Sequence, residues 1–344
     1  MKVSLSPSLP LALVMLLALP AWAQVTETDA IPEGITEDKV LGDKKDEVKD
    51  GWKHKLSVGA TGSFNHSSSV VGTVDGSSVQ LGLMVTGNAD LILSNHTWEN
   101  SLTFKETQSR TPQVDSFLKS ADQLLIKTTY LYSLDSIKWL GPFGQASLDT
   151  QVFHGYDIRT EPVTIVRSKR DGTTVTRDVP AQTRFALTGP FEPMFLRESG
   201  GVFAKPLAEK LITFKAKLGV GFQHVFVGDG YAATDNADTA PLEYTQLDDS
   251  TEAGTVLDLD LMGDVAENVS WTAGASFFYP FYTTSDGEMT GIETLNSDIT
   301  AKLTVRLNKW ASLEYVLSAK RIPLIIDEWQ IQNGVMLTAG FDVI

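Results

Sequence analysis

The stretch Asp298-Ile299-Thr300-Ala301-Lys302-Leu303-Thr304-Val305-Arg306-Leu307 alternates polar and apolar residues without a break. Successive side chains of a strand point to opposite faces, so this segment is a strand with one apolar and one polar surface. The pattern spreads in both directions. Leu257, Leu259, Leu261 and Val265 alternate with Asp258, Asp260 and Asp264. Leu313, Tyr315 and Leu317 alternate with Ser312, Glu314 and Ser318, and Val335, Leu337, Ala339 and Phe341 continue to the end of the chain. Looser versions start near Leu56, Val79, Trp98, Leu124, Phe143, Phe195, Ile212 and Val269. Together they predict about twelve strands.

A soluble sandwich also alternates, so the connections decide the architecture. Tight links fall at Ser94-Asn95, Pro206–Glu209, Glu267-Asn268 and Asn308-Lys309. Longer polar links lie between them at Ser67–Ser77, Arg110–Ser120, Asp157–Pro193, Gly228–Glu252, Ser285–Glu293 and Arg321–Glu328. Short and long links in alternation predict an antiparallel up-and-down barrel that crosses a membrane, with periplasmic turns and extracellular loops. Trp52, Trp98, Trp139, Trp271 and Trp310 all fall at the short-turn ends of their strands, where a girdle of interfacial indoles belongs.

The first residues set the compartment. Lys2, the apolar run Leu11–Leu19 and the small-residue site Ala21-Trp22-Ala23 have the form of a cleaved export signal over residues 1–23. Residues 24–51 are rich in Asp, Glu and Lys around Pro32-Glu33-Gly34 and read as an acidic periplasmic arm. The barrel is then expected over residues 52–344, in the outer membrane of a Gram-negative-type bacterium. The chain has no cysteine, which excludes disulfide and thiol chemistry. Its net charge of -15 excludes nucleic acid as a partner. The partners expected are outer-membrane lipids and the barrel-assembly machinery; composition leaves the oligomeric state open.

Thr97-Trp98-Glu99-Asn100-Ser101-Leu102, Glu192-Pro193-Met194-Phe195-Leu196, Val202–Pro206 and the run from Asn268 through Phe281 to Leu307-Asn308-Lys309 resemble a family of bacterial outer-membrane β-barrel proteins known only as domains of unknown function. The resemblance implies the barrel and its location and carries no activity. Ile344 stands at the C-terminus where such barrels commonly have an aromatic residue.

The candidate lumen residues are Lys215, Lys217, Asp258, Asp260, Asp264, Lys302, Arg306 and Glu314, all on the polar face of their strands. Two readings follow: a polar passage for small solutes, or a lumen cross-linked by ion pairs. Twelve strands lie between the small filled barrels and the wide porins, which leaves both open. Arg167, Lys169, Arg170 and Arg177 surround a hairpin signal at Arg170-Asp171-Gly172 and could meet outer-leaflet phosphates. The acidic loop from Asp229 to Glu252 lacks calcium-loop spacing and reads as solvated. No metal and no cofactor is expected. His54, His66, His96, His154 and His224 stand in no recognisable catalytic motif, and there is no G-x-S-x-G. The function expected is structural or binding, with solute passage included. The runner-up is a lipid-modifying enzyme of the outer membrane.

Overall fold

The computed structural model describes residues 50–68, 76–234, 241–284, 291–323 and 326–342. The export signal and most of the acidic arm lie outside the described residues, as does Ile344. The chain first makes five long strands: β1 (Gly51–Ser67), β2 (Gly76–Leu93), β3 (His96–Thr111), β4 (Val114–Tyr132) and β5 (Leu140–Thr150). Four short ones follow in a long connection: β6 (Gly155–Asp157), β7 (Val163–Ser168), β8 (Thr174–Val179) and β9 (Phe185–Thr188). Then come β10 (Met194–Ala208), β11 (Thr213–Phe226), the short β12 (Tyr231–Ala233) and β13 (Leu242–Gln246), and β14 (Ser250–Ala266). The last four are β15 (Val269–Thr283), β16 (Asn296–Arg306), β17 (Ala311–Ile322) and β18 (Ile326–Asp342).

Twelve of these form an antiparallel barrel in the ring order β1-β18-β17-β16-β15-β14-β11-β10-β5-β4-β3-β2. Each pairs with its neighbour in sequence, apart from the short strands of the loops. The seam is made by β18 returning to β1, from Ser57–Asp342 to Thr61–Thr338. Full closure removes the unpaired edges that an open sheet would expose to lipid.

The alternation sets the two faces as expected. Leu218, Val220, Phe222, Leu303, Leu313 and Tyr315 point outward and are exposed, while Lys217, Asp258 and Glu314 on the other face are buried. Such an inversion of the soluble pattern, apolar out and charged in, is what hydrocarbon requires. The outward positions of β14 to β16 carry no charge; Glu106 on β3, Asp122 opposite it on β4, Glu198 on β10 and Arg321 on β17 share the outward parity, all nearer the long-loop end. Trp52, Trp98, Trp139 and Trp310 are exposed at the short-turn end, and the Trp52 and Trp98 rings are 6.1 Å apart. Phe153, Tyr156, Phe226, Tyr279, Phe281 and Tyr282 are exposed at the opposite end.

Three connections differ from the sequence reading. The link expected at Arg110–Ser120 is a tight turn at Pro112-Gln113, because β3 and β4 continue past the wall as a hairpin paired to Thr111–Val114. Polar residues there alternate as a strand does, and composition alone made them look like a loop. The described residues of the links over Asp157–Pro193 and Gly228–Glu252 carry strands of their own: β12, β13, β7 and β8 form a four-stranded sheet, and β6 pairs with β9. The hairpin at Arg170-Asp171-Gly172 forms as read, with Gly172 at φ 79°. The pairing of β13 with β7 is parallel, so it joins two loops that are far apart in sequence.

Candidate functional site: the lumen and its cap

The inward face of β11 alternates Lys215, Lys217, Gly219, Gly221 and Gln223. Lys217, 1% exposed, donates to Asp258 on β14 at 2.9 Å and also to Gln145 on β5. Asp258 accepts from Ser276 on β15 at 2.7 Å. Lys302 on β16 pairs with Glu314 on β17 at 3.0 Å, and Ser312 also donates to that carboxylate. Glu252 accepts from Gln223 at 2.9 Å and from Asn296 at 3.3 Å. Buried charges are tolerable only when met in this way.

Some of these contacts run across the lumen. Lys215 on β11 reaches Glu99 on β3 at 2.9 Å, although β10, β5 and β4 stand between them along the wall. Lys320 on β17 lies over the Phe195 ring of β10 at 5.9 Å, with β16, β15, β14 and β11 between. Apolar layers flank this polar belt. Leu131, Phe143 and Phe203 cluster toward the short turns, and Phe195, Val225, Val227 and Ile322 pack with Leu247 toward the long loops.

One side of the lumen keeps space. A cavity of about 70 Å³ is lined by Arg197, Ser199, Gln223, Asp258, Asp260 and Ser276, among others from β5 and β10 to β17. The inner wall between β10 and β11 is bare of side chains at Gly201 and Gly219. A Cβ at Gly201 would lie 2.2 Å from the Leu218 carbonyl oxygen, and one at Gly219 would lie 2.2 Å from that of Gly200. The close approach of β10 and β11 requires glycine there, and glycine leaves the wall bare.

The candidates from sequence divide accordingly. Lys215, Lys217, Asp258, Asp260, Lys302 and Glu314 lie on the inward face of the wall. Asp264, half-buried, and Arg306, exposed, sit at the short-turn end outside the cavity. Sequence reasoning missed Arg197, Gln223, Glu252 and Asn296 as partners in one network. Their inward parity was legible, but which strands face each other across a barrel was not.

The cap is assembled from the two long loops. Ile165, Val179, Phe185 and Tyr244 form its core. Tyr244, 2% exposed, donates its hydroxyl to Asp157 at 2.8 Å, and Arg159 donates to the same carboxylate oxygen at 2.9 Å. Burial, and then the Asp157 carboxylate, push the Tyr244 hydroxyl up to about 12. Arg170 donates to the carbonyls of Leu247 and Gly228, each at 2.6 Å, and pairs with Asp248 at 3.0 Å. Arg167 bonds the Ala186 carbonyl and lies over the Tyr231 ring at 4.9 Å. These two arginines join loop to loop. Arg177 on β8 and Lys169 beside the hairpin turn both remain exposed. The loop read as simply solvated uses its acids locally: Asp249 accepts from the Val227 amide at 2.8 Å and Asp229 from Gln246 at 3.2 Å. Gln182 and Arg184 donate to the carbonyls of Gln113 and Phe117, docking the cap on the β3–β4 hairpin.

Comparison with known proteins gives a family match over part of the chain and a set of similar solved structures. A family model described as a protein of unknown function, DUF3078, matches residues 71–156. No curated protein matches the chain. Among solved structures, the chain is similar to the beta domain of the Bordetella autotransporter BrkA, at 13% identity and TM-score 0.31, over 85% of this chain and 98% of that one. It is also similar to the COG4313 outer membrane channel from Pseudomonas putida F1, at 8% identity and TM-score 0.38, over 87% and 100% of the two chains. The translocator domain of the autotransporter NalP from Neisseria meningitidis matches at 9% identity and TM-score 0.38, over 85% and 88%. The likeness is one of fold.

Proposed function

We propose that this chain is an outer-membrane barrel of binding character, which holds a small polar solute in an occluded lumen and passes it only when the cap yields. The observation that carries the reading is the lumenal cavity of about 70 Å³ beside cross-lumen contacts such as Lys215–Glu99. A wide porin has no side-chain tie across its bore, and a barrel filled only for stability keeps no such space. The polar lining favours hydrogen-bonding solutes, and the apolar layer at Phe195, Val225, Ile322 and Leu247 keeps the site from bulk water. In this reading the partners are the membrane lipids, the assembly machinery and the solute.

Purified full-length protein in planar bilayers tests it. The expected record is silence or brief small openings. Steady large ohmic steps in the unmodified protein would sink the proposal.

A lipid-modifying enzyme is the second reading, favoured by one contact. His66 Nδ1 lies 3.0 Å from Ser77 Oγ at the outward rim of β1 and β2. A Ser–His pair needs a third orienting group and an oxyanion site to work. Phospholipid turnover by the wild type and not by Ser77→Ala would establish this reading instead.

A further inference from the structure

The cavity holds a carboxylate that no neighbour satisfies. Asp260 on β14 is 3% exposed and lines the cavity. Its cross-strand neighbours are Lys215 on β11 and Gly274 on β15. Lys215 directs its ammonium to Glu99 across the lumen, and Gly274 has no side chain. The other inward acids nearby are already engaged. Asp258 is met by Lys217 and Ser276, Glu252 by Gln223 and Asn296, and Asp298 has partners of its own. Among the described residues none donates a hydrogen bond or ion pair to Asp260. An ionised carboxylate removed from water without a partner is costly, so such a group points to a cation supplied from outside.

We infer that Asp260 is the anchor of the lumenal site and that its ligand is a small organic cation, an alkylammonium or guanidinium. This rests on the occluded-barrel reading and names the ligand class for the same cavity. The chemistry of the walls selects the class. A divalent metal wants six or more oxygens, whereas here Asp258 is held by Lys217 and the Ser276 hydroxyl is spent on Asp258. An ammonium or guanidinium needs one carboxylate and a charge-assisted hydrogen bond. The bare wall at Gly274 leaves room beside Asp260 for that head group. Val256 and Phe278, which also line the cavity, offer apolar contact to a short hydrocarbon tail.

The test uses the full chain in detergent micelles, titrated by calorimetry with n-butylammonium chloride and, separately, with n-butanol. Butylammonium is expected to bind at least about tenfold more tightly than butanol, and Asp260→Asn should lose about that factor. Asp260→Glu should retain preference for the cation. Asp264→Asn, outside the cavity, should leave affinity unchanged. Because Asp260 has no internal partner, Asp260→Asn should also keep or raise resistance to heat in gel-shift assays. Equal binding of the two probes, no binding of butylammonium, full retention in Asp260→Asn, or loss of heat resistance in that variant would each overturn the assignment. Steady ohmic conductance of the wild type would instead overturn the occluded-barrel reading beneath it, so the two failures are distinguishable.

Discussion

The ammonium of Lys215 on β11 and the carboxylate of Glu99 on β3 lie 2.9 Å apart while three strands separate them along the wall. A cross-strand pair of that length would be ordinary between neighbours. Here it means that the inner surfaces of opposite walls touch, and the bore at that level is bridged by a charge pair.

Removing that bridge should loosen the lumen more than it unfolds the barrel. Lys215→Met with Glu99→Gln deletes both charges, so neither is left buried alone. The double variant is expected to show channel openings in planar bilayers where the wild type is silent, with its heat-modifiable gel shift retained. Unchanged silence would mean that the bridge does not occlude the bore.

A neighbouring pair behaves differently because it lies between adjacent strands. Lys302→Met strands the Glu314 carboxylate, 2% exposed, with Ser312 as its remaining donor. The expected cost is about 3 kcal/mol if the site stays dry. It should be read as a lower unfolding midpoint in urea, without new conductance. A midpoint equal to wild type would show that water reaches Glu314.

The lipid face can be graded by depth. Ile299 pairs with Ala275 in the wall, whereas Leu303 lies level with the girdle residue Trp271. Ile299→Arg should cost about 2 to 4 kcal/mol in assembly and Leu303→Arg markedly less, since the penalty falls toward the interface. Thr304→Arg, on the inward face at the short-turn end, should assemble. Folding yields in lipid vesicles measure all three, and the reverse ranking would invert the faces.

The cap offers a pH test. The Tyr244 hydroxyl, buried and bonded to Asp157, is held at about 12. Its pKa is raised above the ordinary value near 10, so its contribution to cap stability is complete below about pH 10. That contribution fades as pH rises toward about 12, because the opened loop releases the proton more readily. Absorbance titration of the phenols should show a late-ionising component that Tyr244→Phe abolishes. A titration unchanged by the substitution would place Tyr244 in solvent.

Arg170 should matter to the cap and Arg177 should not. Arg170→Ala removes two carbonyl contacts and the pairing with Asp248, and is expected to speed protease cleavage in residues 227–249 several-fold. Arg177→Ala is expected to match the wild type. Equal cleavage rates for both variants would show that Arg170 does not tie the loops together.

The sequence by itself determined the wall. Alternation such as Ile299, Ala301 and Leu303 against Thr300, Lys302 and Thr304 assigns faces because a strand has a period of two, and tight links fix which strands are neighbours. The tryptophans mark one rim because an indole prefers the interface. What only the tertiary structure decided is who meets whom at long range. Lys215 and Lys217 carry the same parity and charge, yet one crosses to Glu99 and the other turns to Asp258. Arg167 and Arg170 read as a free basic patch because nothing local shows that β7 will pair with the distant β13. Asp260 looked like its neighbour Asp258 in sequence. Only the closed ring showed that one has a partner and the other faces empty space, because lumenal contacts depend on the strand opposite and not on the strand beside.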